Sequence, residues 1–210
     1  QVGKYIYVYY AGHDGSLWGG IGLAILTEDL HIVSRPRHPV LELGARGSWD
    51  DSKIFRPIVI YNEKSADPDK KFTMIYTGGD SSGKNRGGIA YSSDGINWTK
   101  SNANPVIDAG ESDSWDSHWV MPENITMYDN KLYMIYNGYN GKNMQVGIAS
   151  AENPEGPWEK FDHNPILSPR LNAVQTLTHE AFKGSRYIHV EDASVFEDKE
   201  PVFIYSKSDY

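Results

Sequence analysis

The sequence predicts an all-β fold in which four-stranded antiparallel blades fan around a common axis, and three observations predict it. One strand pattern recurs three times along the 210 residues, and the copies keep a constant spacing across unrelated residue types. Glycine, proline, tyrosine and tryptophan are abundant, as many short strands joined by tight turns require. Self-similarity of this kind decides the architecture before any single residue does.

Each copy opens with the same strand: Tyr7-Val8-Tyr9-Tyr10-Ala11-Gly12, then Met74-Ile75-Tyr76-Thr77-Gly78, then Met134-Ile135-Tyr136-Asn137-Gly138. A second strand follows at Gly22-Leu23-Ala24, Gly88-Ile89-Ala90 and Gly147-Ile148-Ala149. Turns with a tryptophan come next, Asp94 to Trp98 and Pro154 to Trp158, and Asp94-Gly95 is a favoured hairpin pair. Extended segments then start at His38-Pro39, Asn104-Pro105 and Asn164-Pro165, where proline suits the edge of a strand. Trp49-Asp50 returns as Trp115-Asp116. Tyr10 to Tyr76, Gly22 to Gly88, Pro39 to Pro105 and Trp49 to Trp115 are each 66 residues apart, and Tyr76 to Tyr136 and Pro105 to Pro165 are each 60.

Each copy reads as four short strands, in repeats of about 4–70, 71–130 and 131–200, with a further strand at 201–210, all in a single domain over 1–210. One such sheet cannot bury both faces, so the copies must stack, as the blades of a β-propeller do. A β-sandwich also spaces strands closely, but gives no reason for a four-strand repeat with fixed Trp and Gly. An inner pair at Asp192 to Phe196 and Pro201 to Tyr205 brings the chain to about three and a half blades. Propellers close with four or more. The expectation is therefore a partial chain, or a homo-oligomer whose partner completes the ring through exposed strand edges.

Composition excludes several classes. Net charge is −8 with Lys and Arg scattered, so no basic face exists for nucleic acid. The absence of Cys removes disulfide and thiolate chemistry. No apolar run is long enough to span a membrane as a helix. The opening Gln1-Val2-Gly3-Lys4 carries neither an initiator Met nor a signal peptide, as a processed or partial chain would. Secreted and bacterial cytoplasmic locations both stay open.

The blade motifs resemble the five-bladed propeller glycosidases: arabinanases and β-xylosidases of glycoside hydrolase family 43, invertase-like enzymes of family 32, and mannoside phosphorylases of family 130. Lys131 to Leu167 is similar to their KxYMIYNG…GIAS…GPW…NPIL pattern, and Ser92 to Trp98 to their S-x-DG-x-x-W turn. The resemblance spans roughly Lys4 to Tyr205 and chooses poorly among the families. It implies a central funnel lined by inner strands, with acids at their starts. Trp119-Val120-Met121-Pro122-Glu123 looks like the W-A-P-[DE] strand, which puts Glu123 in that funnel. Glu191-Asp192-Ala193-Ser194-Val195-Phe196 looks like the [I/E]-D-P-S-V-F strand, whose Asp tunes a neighbour or touches sugar; Ala193 departs from its Pro. Only one of Glu191 and Asp192 can face inward, and the motif favours Asp192. Arg56-Pro57 stands where family members often carry an Asp, and Arg56 cannot be a general base. No counterpart of a third catalytic carboxylate is visible.

Glycosidic bonds break with two carboxyl groups, one protonating the leaving oxygen and one acting on water or on the anomeric carbon. Glu123 and Asp192, with Glu191 as fallback, are the catalytic candidates. Arg56, Asp51, Trp115, His118 and Trp119 are the substrate-binding candidates. Arg56 has two readings, a clamp on the ligand or a salt bridge to a neighbouring blade. Trp49 and Trp115 either stack on sugar or pack between blades, and the repeat favours packing. Asp50 and Asp116, being repeated, read as structural partners before catalysts. No histidine spacing resembles a zinc site, so no metal ligand is assigned, although the resemblance allows a structural calcium ion. No other cofactor is expected. The glycine-rich stretches at Gly78-Gly79 and Gly83 to Gly88 lack the Lys-Ser/Thr of a phosphate loop. The expected activity is hydrolysis, or the related phosphorolysis, of furanosides, xylosides or mannosides within an oligosaccharide or polysaccharide. The alternatives are a non-catalytic carbohydrate-binding or assembly propeller, or an inactive piece of a larger glycosidase.

Overall fold

The computed structural model describes residues 1–13 and 19–168. Within them the chain folds into three antiparallel sheets. The first holds β1 (Ile6–Gly12), β2 (Gly20–Leu26) and β3 (Ile32–Ser34), with β4 (Leu41–Glu42) also paired to β2. The second runs β5 (Lys53–Tyr61), β6 (Phe72–Gly79), β7 (Asn85–Ser92), β8 (Thr99–Lys100). The third runs β9 (Trp119–Tyr128), β10 (Lys131–Tyr139), β11 (Met144–Ala151), β12 (Glu159–Lys160). No described helix is long and apolar enough to cross a membrane.

The registers repeat as the sequence does. Tyr10 lies opposite Gly22, Tyr76 opposite Gly88 and Tyr136 opposite Gly147. The sheets are offset from the repeats at 4–70, 71–130 and 131–200, because β5 and β9 hydrogen-bond to the strands that follow them. Short hairpins favour such pairing, so the strand at Trp119–Tyr128 heads the third sheet and does not close the second. The first sheet correspondingly shows no inner strand among the described residues.

Alternation along β6 explains why the sheets stack. Met74 and Tyr76 point one way and join Ile21, Leu41, Ile54 and Ala90 in a core between the first and second sheets. Ile75 points the other way and joins Ile89, Val120, Leu132, Met134, Tyr136 and Ala149 between the second and third. The second sheet is therefore buried on both faces, and each such side chain contributes about 1.5–3 kcal/mol on leaving water. The tryptophans of the repeat belong to these layers. Trp49 lies 5.7 Å from Tyr76 and Trp115 lies 5.5 Å from Tyr136, ring centre to ring centre. Glycines 78, 88, 138 and 147 make room for them: a Cβ at any of these would come within 2.4–2.7 Å of an indole carbon.

Under each tryptophan sits a buried polar node. Asp50, 2% exposed, accepts from Lys100 Nζ at 2.6 Å, from the Tyr76 hydroxyl at 3.2 Å and from Ser48 Oγ at 3.0 Å. Asp116, also 2% exposed, accepts from Lys160 Nζ at 2.6 Å, from the Tyr136 hydroxyl at 3.2 Å and from Ser114 Oγ at 2.8 Å. Burial pushes both phenols up, and the Asp50 and Asp116 charges and hydrogen bonds push them further. The expected structural role of the repeated acids is thus present as geometry. Asn104 and Asn164 complete the pattern, each pairing its amide with both backbone groups of a strand residue, Ile89 and Ile148. That two-way bond lets a side chain stand in for a strand neighbour.

Candidate active site

Glu123 and Arg56 meet across the inner strands of adjacent sheets, and a shared irregularity brings them there. In β5 the register slips between Phe55, opposite Thr77, and Ile58, opposite Ile75, so Arg56 and Pro57 both fall against Tyr76. In β9 it slips between Pro122, opposite Tyr136, and Asn124, opposite Ile135, leaving Glu123 as the extra residue. Such bulges turn a side chain away from the regular alternation. Arg56 takes a φ of 54°, a left-handed value uncommon for a residue with a side chain. Proline at 57 and 122 suits these positions, since a bulge removes the need for a ladder donor.

The result is a three-residue cluster. Arg56 forms an ion pair with Glu123 Oε1, and Asn137 Nδ2 donates to the same oxygen at 2.6 Å. Both charged side chains are partly open, 40% for Arg56 and 34% for Glu123. Of the two readings of Arg56, the salt bridge to the neighbouring blade is the one formed. Asn137 was not anticipated, yet the repeat held a signal: the matching residue of the previous copy is Thr77, so the longer amide at this place is particular to one blade.

The other described candidates lie at the start of β9 or in the loops that lead into β5 and β9. The His118 and Trp119 rings pack on Tyr139, with centres 5.6 Å and 4.9 Å away, the latter stacked. Asp51 closes its own loop, accepting from the Gly47 amide at 2.7 Å, while its Oδ1 is buried with no hydrogen-bond partner among the described residues. Trp115 is held against Tyr136, Gly138 and Gly147, the packing that the repeat favours. Glu191 and Asp192 lie outside the described residues. Among the described residues no three carboxylate, imidazole or thiol groups converge on one point.

The hairpin between β6 and β7 carries a separate charged cluster. Asp80 is partly buried, which opposes its charge, but hydrogen bonds from Ser82, Arg86 and the Lys84 amide hold it down to about 2. Arg86 also binds Asp108 at 3.0 Å, tying the hairpin to the segment that leads into the third sheet. Because the folded value lies below the ordinary 3.8, Asp80 contributes stability above about pH 4 that is lost as pH falls through about 2. Asp80→Asn is expected to flatten the acid limb of the stability profile across that window, measured as denaturant midpoints.

No family model matches the sequence, and no curated protein matches it. Solved structures do. A family 117 glycoside hydrolase of the marine bacterium Zobellia galactanivorans superposes with a TM-score of 0.66 at 18% identity, over 80% of this chain and 54% of that one. The fold is that of the propeller glycosidases. Fructan 1-exohydrolase IIa of Cichorium intybus gives a TM-score of 0.59 at 14% identity, over 76% of this chain and 29% of that one. An endo-1,4-beta-xylanase of Bacteroides thetaiotaomicron gives 0.52 at 17% identity, over 79% and 51%. The chain thus spans about half the length of the first of these structures, and less than a third of the fructan exohydrolase.

Proposed function

We propose that the protein acts on glycosidic bonds, as a hydrolase or a related phosphorylase, with Glu123 as one of its two carboxyl groups. The observation that supports this most is the bulge that lifts Glu123 out of β9 toward the inner strand of the next sheet, in a fold shared with glycoside hydrolases. A carboxylate gripped by a guanidinium and an amide suits the partner that acts on water or on the anomeric carbon. The proton donor is then a second acid, and Asp192, with Glu191 as the fallback, is assigned that role from its motif. A separation of about 5 Å between the two carboxyl groups would mean retention, and one of about 6.5–9.5 Å inversion. Furanosides, xylosides and mannosides are the substrate classes.

The ion pair also favours a second reading. Arg56 occupies the very oxygen that catalysis would use, which suits a propeller that binds carbohydrate without cleaving it. Aryl arabinofuranosides, xylosides and mannosides, each tested with and without phosphate, separate the two. Release of the aryl group from any of them supports an enzyme. Oligosaccharide binding by calorimetry with no release from the whole panel supports the binding module.

A further inference from the structure

The first sheet repeats the frame that holds Trp49 and Trp115, but nothing described fills it. Tyr10 faces Gly22 as Tyr76 faces Gly88 and Tyr136 faces Gly147, and Gly12 stands at the ladder position of Gly78 and Gly138. At those other glycines an added Cβ would collide with an indole. Among the described residues, at Gly12 it would meet only the Gly20 carbonyl oxygen, 4.0 Å away, and at Gly22 its nearest neighbours all belong to Tyr10. A cavity of about 340 Å³ opens there, with Tyr10, Gly12, Gly22, Arg37 and Pro39 in its wall. Tyr10 is 40% exposed, whereas Tyr76 and Tyr136 are fully buried at 0%.

The cation of the polar node has a counterpart too. Lys100 and Lys160 come one residue after the pairs Tyr91–Thr99 and Ser150–Glu159. In the first sheet the matching pair is Ile25–Ser34, and the next residue is Arg35. Among the described residues β1 pairs only with β2, while β6 and β10 each also pair with an inner strand. Socket, phenol, cation and strand edge therefore recur together, in the arrangement that receives Trp-Asp twice elsewhere.

We propose that this face is a docking socket for a strand led by Trp-Asp, contributed by polypeptide outside these 210 residues. Its indole lies over Gly12 and Gly22, its carboxylate meets the Tyr10 hydroxyl and Arg35, and the strand that follows pairs with β1. A second copy of this chain does not suit the role, because Asp50 and Asp116 are already buried in their own nodes. Residues 169–210 contain no tryptophan. The inference is independent of the proposed catalysis, since it uses none of the same residues.

A fluorescein-labelled peptide copying Gly47–Tyr61 tests it by anisotropy against the full chain. Saturable binding is expected, weakened about tenfold or more when the peptide's tryptophan or its following aspartate is changed to alanine. Gly12→Val should abolish binding while leaving the melting temperature little changed, because among the described residues the added Cβ meets the Gly20 carbonyl oxygen at an ordinary 4.0 Å. Arg35→Ala should weaken it without abolishing it. Absence of saturation, or binding that Gly12→Val leaves intact, overturns the proposal. The same titration in a Trp18→Phe background is a control: binding seen only there would give the socket to the chain's own tryptophan, and overturns it as well. A dimer by light scattering that Gly12→Val dissolves would give the socket to a second copy, which likewise overturns the proposal.

Discussion

Asp116→Ala is expected to cost about 3 kcal/mol of folding stability, because it strips a buried node of the group that organises it. Asp116 is 2% exposed and holds Lys160 at 2.6 Å, Tyr136 at 3.2 Å and Ser114 at 2.8 Å. Removing it leaves the Tyr136 phenol without its acceptor and the Lys160 ammonium with the Asp108 carbonyl, 2.8 Å away, but no countercharge. The cost of an orphaned buried donor exceeds the net worth of the pair that satisfied it. Lys160 reaches solvent, at 29% exposure, so part of its charge can rehydrate, which places the figure at the lower end for a broken buried pair. The measurement is the denaturant midpoint at constant m. Lys160→Met in the Asp116→Ala background should recover a good part of the loss, since it removes the stranded charge. An Asp116→Ala protein as stable as the parent would mean that the node is decoration on a sheet already fixed by its apolar layers.

The fold was legible because its signals are local and repeated. Tyr10, Tyr76 and Tyr136 each announce the same strand, and the glycines opposite them mark where an aromatic must sit close. The tryptophan repeat pointed correctly to packing, since a residue kept in place among copies within one chain serves what the copies share, namely the layer between sheets. The nodes were half legible. Asp50 and Asp116 stand out by their spacing, but Lys100 and Lys160 sit in two-residue strands far along the chain, and no periodicity in so short a run reveals a partner. The site was harder still. Glu123 and Arg56 are 67 positions apart and meet only because both inner strands slip register at matching places, an event that alternation cannot foretell. Asn137 lay hidden for the same reason. Only its contrast with Thr77 separated it from an ordinary strand residue.

Glu123→Gln is expected to lower kcat about 100- to 10,000-fold with little change in KM, the range lost when a positioned acid or base is removed. The amide keeps the shape of the side chain and can still accept from Asn137 and Arg56, so substrate should bind much as before. What disappears is the negative charge that must activate water or meet the developing positive charge at the anomeric carbon. Folding is not expected to confuse the result, because an ion pair open to solvent by 40% and 34% is worth at most about 1 kcal/mol. Arg56→Met supplies the complementary test. If Arg56 orients an active Glu123, its loss should lower kcat less than Glu123→Gln does. If Arg56 instead holds the acid out of action, its loss should raise binding or create turnover where the parent shows none. The pair Glu123→Gln with Asp192→Asn bears on the whole assignment: a doubly substituted chain that still cleaves an aryl glycoside at the parental rate draws its carboxylates from elsewhere, and neither residue would then hold the chemistry.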